Sequence, residues 1–207
     1  TDQKGWHYHQ LKKSFENKNI FVESANLDEL SIAINDNKNQ IIKNNGEILS
    51  GITDVFVRHI PGGTLEEVII NLNILKVFAC HGINIMNTSE NIETTVDKSL
   101  TSIKLRRAGI LTPDTWVIRG KNNCKKMITS LLSKHPLIYK PLFGSQGDNI
   151  VKITEISDFN KIINDSNIFY IQKFLETEPS HDYRVLIAKN KNKSMVYAMM
   201  RYSNSYI

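Results

Sequence analysis

Cysteines and long hydrophobic runs are nearly absent from this sequence. Only two cysteines, Cys80 and Cys124, occur among the 207 residues, and their spacing matches neither a zinc site nor a secreted disulfide framework. Because both lie in apolar helical patterns, we expect reduced core cysteines of a cytoplasmic protein rather than catalytic thiols. No apolar stretch approaches the roughly 20 residues that cross a bilayer, so we predict no membrane-spanning segment.

Aromatic residues are also scarce, at 8%, and no arginine stripe is interleaved with them, so the composition does not favour nucleic-acid binding. The net charge of +5 fits a solvated surface rich in lysine and asparagine, and it would also suit a phosphate-rich ligand. The length allows one large or two small globular domains. The chain begins at Thr1 without a methionine and stops at Ile207 without a closing helix, so we expect a fragment clipped at both ends.

Strand and helix signals alternate in the first half of the chain. Thr64 and Glu67 have the spacing of a capping box, and an apolar pattern of helical period starts at Leu65. Predicted strands at 54–58 and 83–86 flank this helix, which is typical of a parallel βαβ unit and therefore of an α/β domain. The other elements expected here are a helix at 6–18 with Trp6 inward and strands at 20–22, 30–34, 40–42 and 47–49.

The second half combines helices with hairpin signals, which predicts an α+β region. Asp97 can cap a helix that ends at Gly109, with Pro113 beyond it. An apolar stripe at 124–132 predicts a second helix. The remaining elements expected are a helix at 157–164 and strands at 115–118, 137–141, 149–153, 169–175, 183–188 and 195–201, the last two joined by a turn at 189–193.

A lysine within an apolar strand is the central functional signal. Lys140 should either extend to solvent or meet an anion, because burying an unpaired cation is costly. A glycine loop follows it, and glycine amides can approach an anion closely. Neither a P-loop nor a dinucleotide-binding fingerprint fits, because both need a helix where a strand follows Gly147. The pattern fits a glycine-tipped hairpin that folds over phosphates, and an ordinary glycine hairpin with an edge lysine stays open as the alternative.

Three other segments could complete a nucleotide site. Lys98, at a predicted helix start, would reach a phosphate across a cleft, although a first-turn lysine can simply be solvated. The apolar segment 169–176 could offer backbone groups and apolar walls to an adenine ring, or be a buried strand. Asp182 could bind ribose hydroxyls, and Arg184 and Arg201 could clamp carboxylate or phosphoryl oxygens, unless this is a surface hairpin with scattered charge.

The order and spacing of these segments resemble the ATP-grasp superfamily, specifically the RimK-like α-L-glutamate ligases. The resemblance covers nearly the whole chain and is carried by TTVDKSLTSIKLRRAGILTPDTW, YKPLFGSQGDNIVKI, YIQKFLE, SHDYRVLI and MMR. The segment FVRHIPGGTLEEV is similar to the branch linked to tetrahydromethanopterin biosynthesis. The resemblance implies an ATP-grasp fold with a Rossmann-like pre-ATP-grasp domain at 1–90 that lacks its first strand, an N-terminal subdomain with the glycine lid at 91–175, and the start of an incomplete C-terminal subdomain at 176–207.

The resemblance also implies a role for each matched residue. Lys98 and Lys140 would contact the ATP phosphates, and Asp182 would face the ribose. Arg184 and Arg201 would be catalytic residues at the acyl-phosphate end. The other nucleotide-binding residues implied are those of the glycine lid, Ser145, Gln146 and Gly147, and those of the adenine pocket, Gln172, Lys173, Phe174 and Leu175.

Three departures from the family pattern qualify these expectations. Asn149 stands where the family usually has another glycine, and asparagine tolerates a positive φ better than most residues. Lys173 stands where a glutamate is common, which puts a polar contact to adenine in doubt. The resemblance implies that the acidic magnesium ligands of the family would lie beyond Ile207, so no residue of this sequence is assigned to the metal. We therefore expect this chain alone to bind nucleotide weakly and to turn over nothing.

The activity that the resemblance implies is amide formation with ATP and Mg²⁺. ATP would phosphorylate a carboxylate of an acidic acceptor, which could be a pterin cofactor, a peptide or a protein tail, and the amine of glutamate or another amino acid would attack the acyl phosphate. Arg58 and His59, before a predicted helix start, could help to bind the acceptor, or the segment could be a connection that requires proline and glycine. A non-catalytic nucleotide-binding module stays open as an alternative, and family analogy implies a homo-oligomer.

Overall fold

The structure is a computed structural model that describes residues 5–35, 38–144, 147–162, 167–189 and 192–202. Ser145 and Gln146 of the predicted glycine lid lie outside the described residues, and so do residues 190–191 of the predicted hairpin turn. The chain divides into two compact units, Thr1–Glu93 and Thr94–Ile207. None of the described helices combines the length and the apolar character that a membrane span requires.

The first unit contains a parallel βαβ crossover and an antiparallel hairpin. Its elements are α1 (Trp6–Glu16), β1 (Leu30–Asn35), β2 (Lys38–Lys43), β3 (Asp54–Phe56), α2 (Leu65–Cys80) and β4 (Asn84–Met86), and α3 (Ser89–Val96) follows β4 in the chain. β1 pairs antiparallel with β2, whereas β3 pairs in parallel with β4 across the α2 crossover. The predicted parallel pairing is therefore confirmed.

Helix α2 begins with the predicted capping box. The Thr64 hydroxyl accepts a hydrogen bond from the Glu67 amide at 3.3 Å, and the Glu67 carboxylate accepts one from the Thr64 amide at 2.7 Å. These bonds satisfy helix-start amides that have no partner within the helix. The helix contacts β1 and β2, and the buried core of this unit consists of Leu30, Ile41, Ile74, Leu75 and Phe78.

Several predictions for the first unit are wrong. Trp6 is 67% exposed rather than inward, and residues 20–22 form no strand, with Phe21 88% exposed. Trp6 was expected to face inward because it is apolar, but its side chain lies at the surface of the unit as described. The strand predicted at 54–58 ends at Phe56, whose side chain is exposed.

The apolar stripe of α2 starts later than the sequence pattern predicts. Leu65 is 69% exposed, because the residues that α2 buries begin only at Asn71, beyond its first turn. Cys80, the last residue of this helix, is exposed, which makes the prediction of a core position wrong. Cys124 in the second unit is buried as predicted.

The second unit is built around a four-stranded sheet and a separate hairpin. Its elements are α4 (Lys98–Arg107), β5 (Thr115–Arg119), α5 (Lys121–Leu132), β6 (Leu137–Lys140), β7 (Val151–Ile153), a 3₁₀ helix (Ile156–Lys161), β8 (Ile168–Lys173), β9 (His181–Lys189) and β10 (Ser194–Tyr202). The sheet has the order β5–β8–β6–β7, and each neighbouring pair is antiparallel. The predicted α+β character of this region is confirmed.

Side chains alternate between the two faces of this sheet, because successive residues of a strand point to opposite sides. One face packs with α5 and the 3₁₀ helix, and its core contains Ile118, Cys124, Ile128, Leu137, Tyr139, Ile153, Phe159, Phe169 and Ile171. The opposite face, which we call the polar face, is formed by the alternating residues Thr115, Val117, Ile138, Lys140, Lys152, Tyr170 and Gln172.

Several element boundaries in the second unit differ from the predictions. The strand predicted from Asn149 starts at Val151, because Asn149 adopts a positive φ of 56° that breaks the extended backbone. The helix predicted at 157–164 is a 3₁₀ helix at Ile156–Lys161, and residues 163–166 lie outside the described part. β8 ends at Lys173, two residues before the predicted end, and Leu175 is 59% exposed.

Candidate functional site

Lys140 lies at the end of β6 on the polar face of the sheet. The alternation of the strand places Leu137 and Tyr139 in the core and therefore directs Lys140 to the opposite side. Its ammonium donates a hydrogen bond to Oε1 of Gln172 at 2.8 Å. Partial burial lowers the pKa of Lys140 below its ordinary value, because desolvation disfavours the charged form.

Gln172 links this lysine to the next strand. Its side chain is 6% exposed, and its Nε2 donates a hydrogen bond to Oγ1 of Thr115 on β5 at 2.9 Å. Thr115 in turn donates to the carbonyl oxygen of Pro113 at 2.9 Å. Sequence reasoning assigned Gln172 a backbone role and did not single out Thr115. The structure shows a side-chain connection that could be found only once the strand order was known.

Lys98 lies at the start of α4, where Asp97 caps the helix. The Asp97 carboxylate accepts hydrogen bonds from the amides of Ser99 and Leu100 at 2.8 and 3.0 Å. The Lys98 ammonium donates to the carbonyl oxygens of Leu142 at 3.4 Å and Gly144 at 3.0 Å. It is thereby tied to the segment that follows β6.

Burial and the positive charge of Lys140 both lower the pKa of Lys98, so the two ammonium groups are near enough to repel each other. The two lysines come from different elements, a helix start and a strand end. Two positive charges at a partly buried site are unfavourable unless an anion binds between them. The structure therefore brings together the two lysines that the sequence predicted to act together.

The glycine loop after β6 has backbone conformations that suit glycine. Gly144 has φ +156° and Gly147 has φ +85°, both outside the range that L side chains ordinarily adopt. Asn149 has φ +56°, so asparagine occupies a left-handed position where the family pattern has glycine. Asn149 thus adopts the positive φ that it was expected to tolerate, and its effect on the glycine lid stays a prediction.

The predicted adenine segment already uses part of its backbone within the sheet. The amide of Lys173 donates to the carbonyl oxygen of Asp114 at 2.9 Å, and the amide of Phe174 donates to that of Pro136 at 3.0 Å. A base edge that needs a donor would therefore have to use another group of this segment, such as the amide of Leu175. The role of these residues in binding adenine stays a prediction.

Lys152 is a second lysine of the polar face that sequence reasoning missed. Its ammonium lies 4.2 Å from the centre of the Phe174 ring and 3.0 Å from the Glu176 carboxylate. The period-two alternation of the predicted strand 149–153 was the signal that could have found it, since Lys152 alternates with the core residues Val151 and Ile153.

Asp182 and Arg201 form an ion pair across the β9–β10 hairpin. They are register partners, and the Arg201 guanidinium donates to both carboxylate oxygens, with Nε at 2.8 Å from Oδ1. The hydrogen bond from Arg201 lowers the pKa of Asp182, and the reverse contact raises the pKa of Arg201. Arg184 lies two residues along β9, on the same face as this pair. The ribose and acyl-phosphate roles of these three residues stay predictions.

Arg58 and His59 lie between the end of β3 and the start of α2 in the first unit. Burial and the charge of neighbouring groups, including Arg58, lower the pKa of His59, which favours the neutral imidazole at neutral pH. A neutral histidine offers an anion a hydrogen bond but no charge. Gly63 has a φ of +155°, which L side chains rarely adopt, and an added Cβ would displace the Glu67 carboxylate that caps α2, since it would lie 2.3 Å from Oε2. The acceptor-binding role of Arg58 and His59 stays a prediction.

Three further features bear on the chemistry. Burial raises the pKa of the Cys124 thiol to about 12, so this cysteine is a poor nucleophile at neutral pH. Among the described residues, no group of three or more His, Cys, Asp or Glu side chains could hold a metal ion. A cavity of about 330 Å³ lies between α4 and β5, and its lining includes Ser99, Ser102, Arg106, Arg107, Thr112 and Thr115.

Comparison with known proteins places this geometry in a family. The family model of the RimK-like ATP-grasp domain matches residues 95–205, which is more than half of the chain. The tetrahydromethanopterin:alpha-L-glutamate ligase of Methanosarcina acetivorans is 25% identical over 215 residues, covering 95% of this chain and 65% of that protein. The beta-citrylglutamate synthase B of Homo sapiens is 24% identical over 181 residues, covering 86% of this chain and 46% of that protein.

A solved structure supports the same fold. The RimK domain protein ATP-grasp from Sphaerobacter thermophilus superposes with a TM-score of 0.67 at 14% identity, covering 90% of this chain and 66% of that one. This chain thus spans less than two thirds of the length of these relatives. The helix-capped Lys98, the strand-borne Lys140 and the glycine loop all fall within the matched residues. The chain has the ATP-grasp fold and belongs to the RimK-like ATP-grasp family.

Proposed function

We propose that this chain is the nucleotide-binding part of an ATP-dependent ligase that adds L-glutamate to a carboxylate of an acidic acceptor. The observation that carries the proposal is the pair of half-buried ammonium groups of Lys98 and Lys140. Burial disfavours the charged form of both lysines, and the charge of Lys140 further disfavours that of Lys98. A triphosphate would supply negative charge to both, and a cleft that already holds the cations needs little reorganisation to bind it.

The reaction that follows from this proposal has two steps. A carboxylate oxygen of the acceptor attacks the γ-phosphorus of ATP, the bond to the β-bridging oxygen breaks, and ADP leaves an acyl phosphate behind. The glutamate amine then attacks the acyl carbon, loses a proton, and expels inorganic phosphate as the amide forms. Catalysis of this kind depends on positioning and charge stabilisation and needs no nucleophilic side chain, in keeping with the high pKa of the Cys124 thiol.

Each residue of the site has a role in this scheme. Lys98 and Lys140 neutralise phosphate oxygens and hold the triphosphate in line. Asp182 accepts from the ribose, and Arg184 and Arg201 stabilise the acyl-phosphate end once Arg201 turns from Asp182 towards the substrate. ATP-grasp ligases use Mg²⁺ to neutralise phosphate charge, but the described residues bring together no metal-ligating cluster, and no step is assigned to the ion here.

The names of the relatives support glutamate as the amine. A tetrahydromethanopterin:alpha-L-glutamate ligase and a beta-citrylglutamate synthase are both similar to this chain, and both names contain glutamate. Their other partners differ, so the acceptor of this protein is proposed only as an acidic molecule, whether a pterin cofactor, a peptide or a protein tail. Mass spectrometry of products formed by the full-length protein with ATP, labelled glutamate and each acceptor class would identify it.

Calorimetric titration with ADP tests the nucleotide site directly. We expect wild type to bind, Lys140→Ala to lose binding, and Lys126→Ala to bind like wild type, because Lys126 is an exposed residue of α5 on the other side of the sheet. Equal binding by Lys140→Ala and wild type would overturn the proposed role of Lys140. If wild type is folded yet does not bind ADP, the titration is repeated on the full-length protein, and absence of binding there would refute the nucleotide site itself.

A further inference from the structure

A continuous chain of hydrogen bonds runs from Lys140 to the loop before β5. Lys140 donates to Gln172 at 2.8 Å, Gln172 donates to Thr115 at 2.9 Å, and Thr115 donates to the carbonyl oxygen of Pro113 at 2.9 Å. Gln172 lies 32 residues from Lys140 and 57 residues from Thr115 along the sequence. The register of the sheet brings them together, because Gln172 pairs with Thr115 on one side and with Ile138 on the other.

The direction of every bond in this chain is fixed by chemistry. An ammonium can only donate, so the atom of Gln172 that faces Lys140 must be the carbonyl oxygen. The Gln172 amide nitrogen therefore faces Thr115, whose hydroxyl accepts from it. That hydroxyl can then give its own proton only to another acceptor, which is the Pro113 carbonyl. Reversing the amide would place two donor groups against each other at the Lys140 end, and this cost holds the amide in one orientation.

We propose that Gln172 and Thr115 are positioning residues that aim the Lys140 ammonium at the nucleotide phosphates and keep it protonated. The proposal rests on the proposed function for the role of Lys140, and it changes the role of Gln172 from a backbone contact with adenine to a side-chain support. A buried glutamine with both ends of its amide hydrogen-bonded has little rotational freedom. The ammonium that it holds is therefore presented in a defined place before the ligand arrives.

The electrostatic surroundings give this support a second effect. Lys98 from α4 repels Lys140, and Lys152 and the buried Tyr170 are the other titratable groups that β7 and β8 place on the same face. Burial favours the neutral amine of Lys140. A hydrogen bond to the neutral Gln172 carbonyl favours the ammonium and so opposes the effect of burial. Loosening Gln172 should therefore lower the pKa of Lys140 further. Nucleotide affinity falls when Lys140 loses its proton at alkaline pH, and this fall should then begin at a lower pH.

Thr115→Val tests the inference without changing Lys140 or Gln172. Valine has the shape of threonine but no hydroxyl, so the Gln172 amide loses its acceptor and its fixed orientation. We expect ADP to bind roughly 2- to 12-fold more weakly, the effect of one ordinary hydrogen bond, with the alkaline loss of affinity moved to lower pH. Thr115→Ser restores the hydroxyl and should restore both properties. Val117→Ala, on the same strand and face, controls for loss of packing alone.

The titration of Lys140 itself separates failure of this inference from failure of the proposed function. In protein labelled with ¹³C at lysine Cε, the Lys140 signal is assigned by its absence from Lys140→Ala, and its midpoint is measured without nucleotide. A lower midpoint in Thr115→Val, rescued in Thr115→Ser, supports the positioning chain whether or not ADP binds. An unchanged midpoint in Thr115→Val, with thermal stability lowered as in Val117→Ala, would show that Thr115 and Gln172 act only in packing and would overturn the inference.

Discussion

Replacing Lys98 by methionine should weaken nucleotide binding through the phosphates alone. Methionine keeps an unbranched chain of similar length and removes the charge, and both residues are good helix formers, so α4 should keep its start. The ammonium has three donors, and two of them reach the carbonyl oxygens of Leu142 and Gly144. At most one donor is then left for a phosphate oxygen, unless a loop contact is given up.

The expected magnitude follows from that count. One hydrogen bond between a charged donor and a phosphate contributes about 1.5 to 3 kcal/mol, and about 1.4 kcal/mol is a tenfold change in Kd. Lys98→Met should therefore raise the Kd for ADP roughly 10- to 150-fold. The wild-type affinity should also fall more steeply with ionic strength than that of the variant, because the partly exposed charge is screened.

A ligand series distinguishes binding by Lys98 from an indirect structural effect. Calorimetric Kd values for adenosine, AMP, ADP and ATP would be compared between wild type, Lys98→Met and the exposed α5 variant Lys126→Met. The affinity for adenosine should be unchanged, since adenosine carries no phosphate, and the difference should grow with the number of phosphates. An equal loss of affinity for adenosine and ATP would mean that Lys98 acts by holding the loop carbonyls, and the reasoning about phosphates would be refuted.

Three further predictions concern the fold that supports the site. Ile171→Ala should lower the free energy of unfolding, measured by urea denaturation, by about 2 to 5 kcal/mol, because Ile171 is fully buried in the sheet. Val117→Ala, at an exposed position, should lower it by less than about 1 kcal/mol. Asn149 has a φ of +56°, so Asn149→Gly should leave the free energy of unfolding unchanged or raise it, and Asn149→Ala should lower it by about 1 to 2 kcal/mol. Equal stabilities of the two variants would contradict this backbone argument. Asp182→Asn should make the free energy of unfolding depend less on pH in the acid range, because the hydrogen bond from Arg201 lowers the pKa of Asp182. The contribution of Asp182 to stability is present above its unfolded-state pKa and is lost as the pH falls through its folded-state pKa. An unchanged pH profile of stability in the variant would show that the ion pair contributes nothing.

Local signals in the sequence were sufficient to predict where α2 and α4 begin. Thr64 and Glu67 form the capping box expected of them, and Asp97 accepts from the amides at the start of α4. These interactions connect residues two or three positions apart, so the sequence contains all the information that they need. The position of Lys98 was predictable for the same reason, because a helix start fixes where its first-turn side chains begin.

Burial and cross-strand contacts could not be predicted in the same way. Leu65 and Trp6 are apolar and were expected to face inward, but both are exposed, because burial depends on which element lies opposite and not on the residue alone. The contact of Thr115 with Gln172 was not predicted because β8, the last of the four strands along the chain, lies between β5 and β6 in the sheet. That strand order is a property of the whole sheet, and no local pattern in the sequence near Thr115 indicates it.

Departures from local preference are concentrated at one place in the second unit, the end of β6 and the strands beside it. Lys140 interrupts an apolar strand, Gln172 is a polar side chain in a buried position, and Asn149 adopts a left-handed backbone. Each is unfavourable by itself, and natural sequences tolerate such features mainly where function requires them. The hydrogen bonds of Gln172 offset its own burial, but they do not neutralise the charge of Lys140 or its repulsion from Lys98. An anionic ligand would compensate both positive charges, and for this reason we expect the nucleotide site at the end of β6.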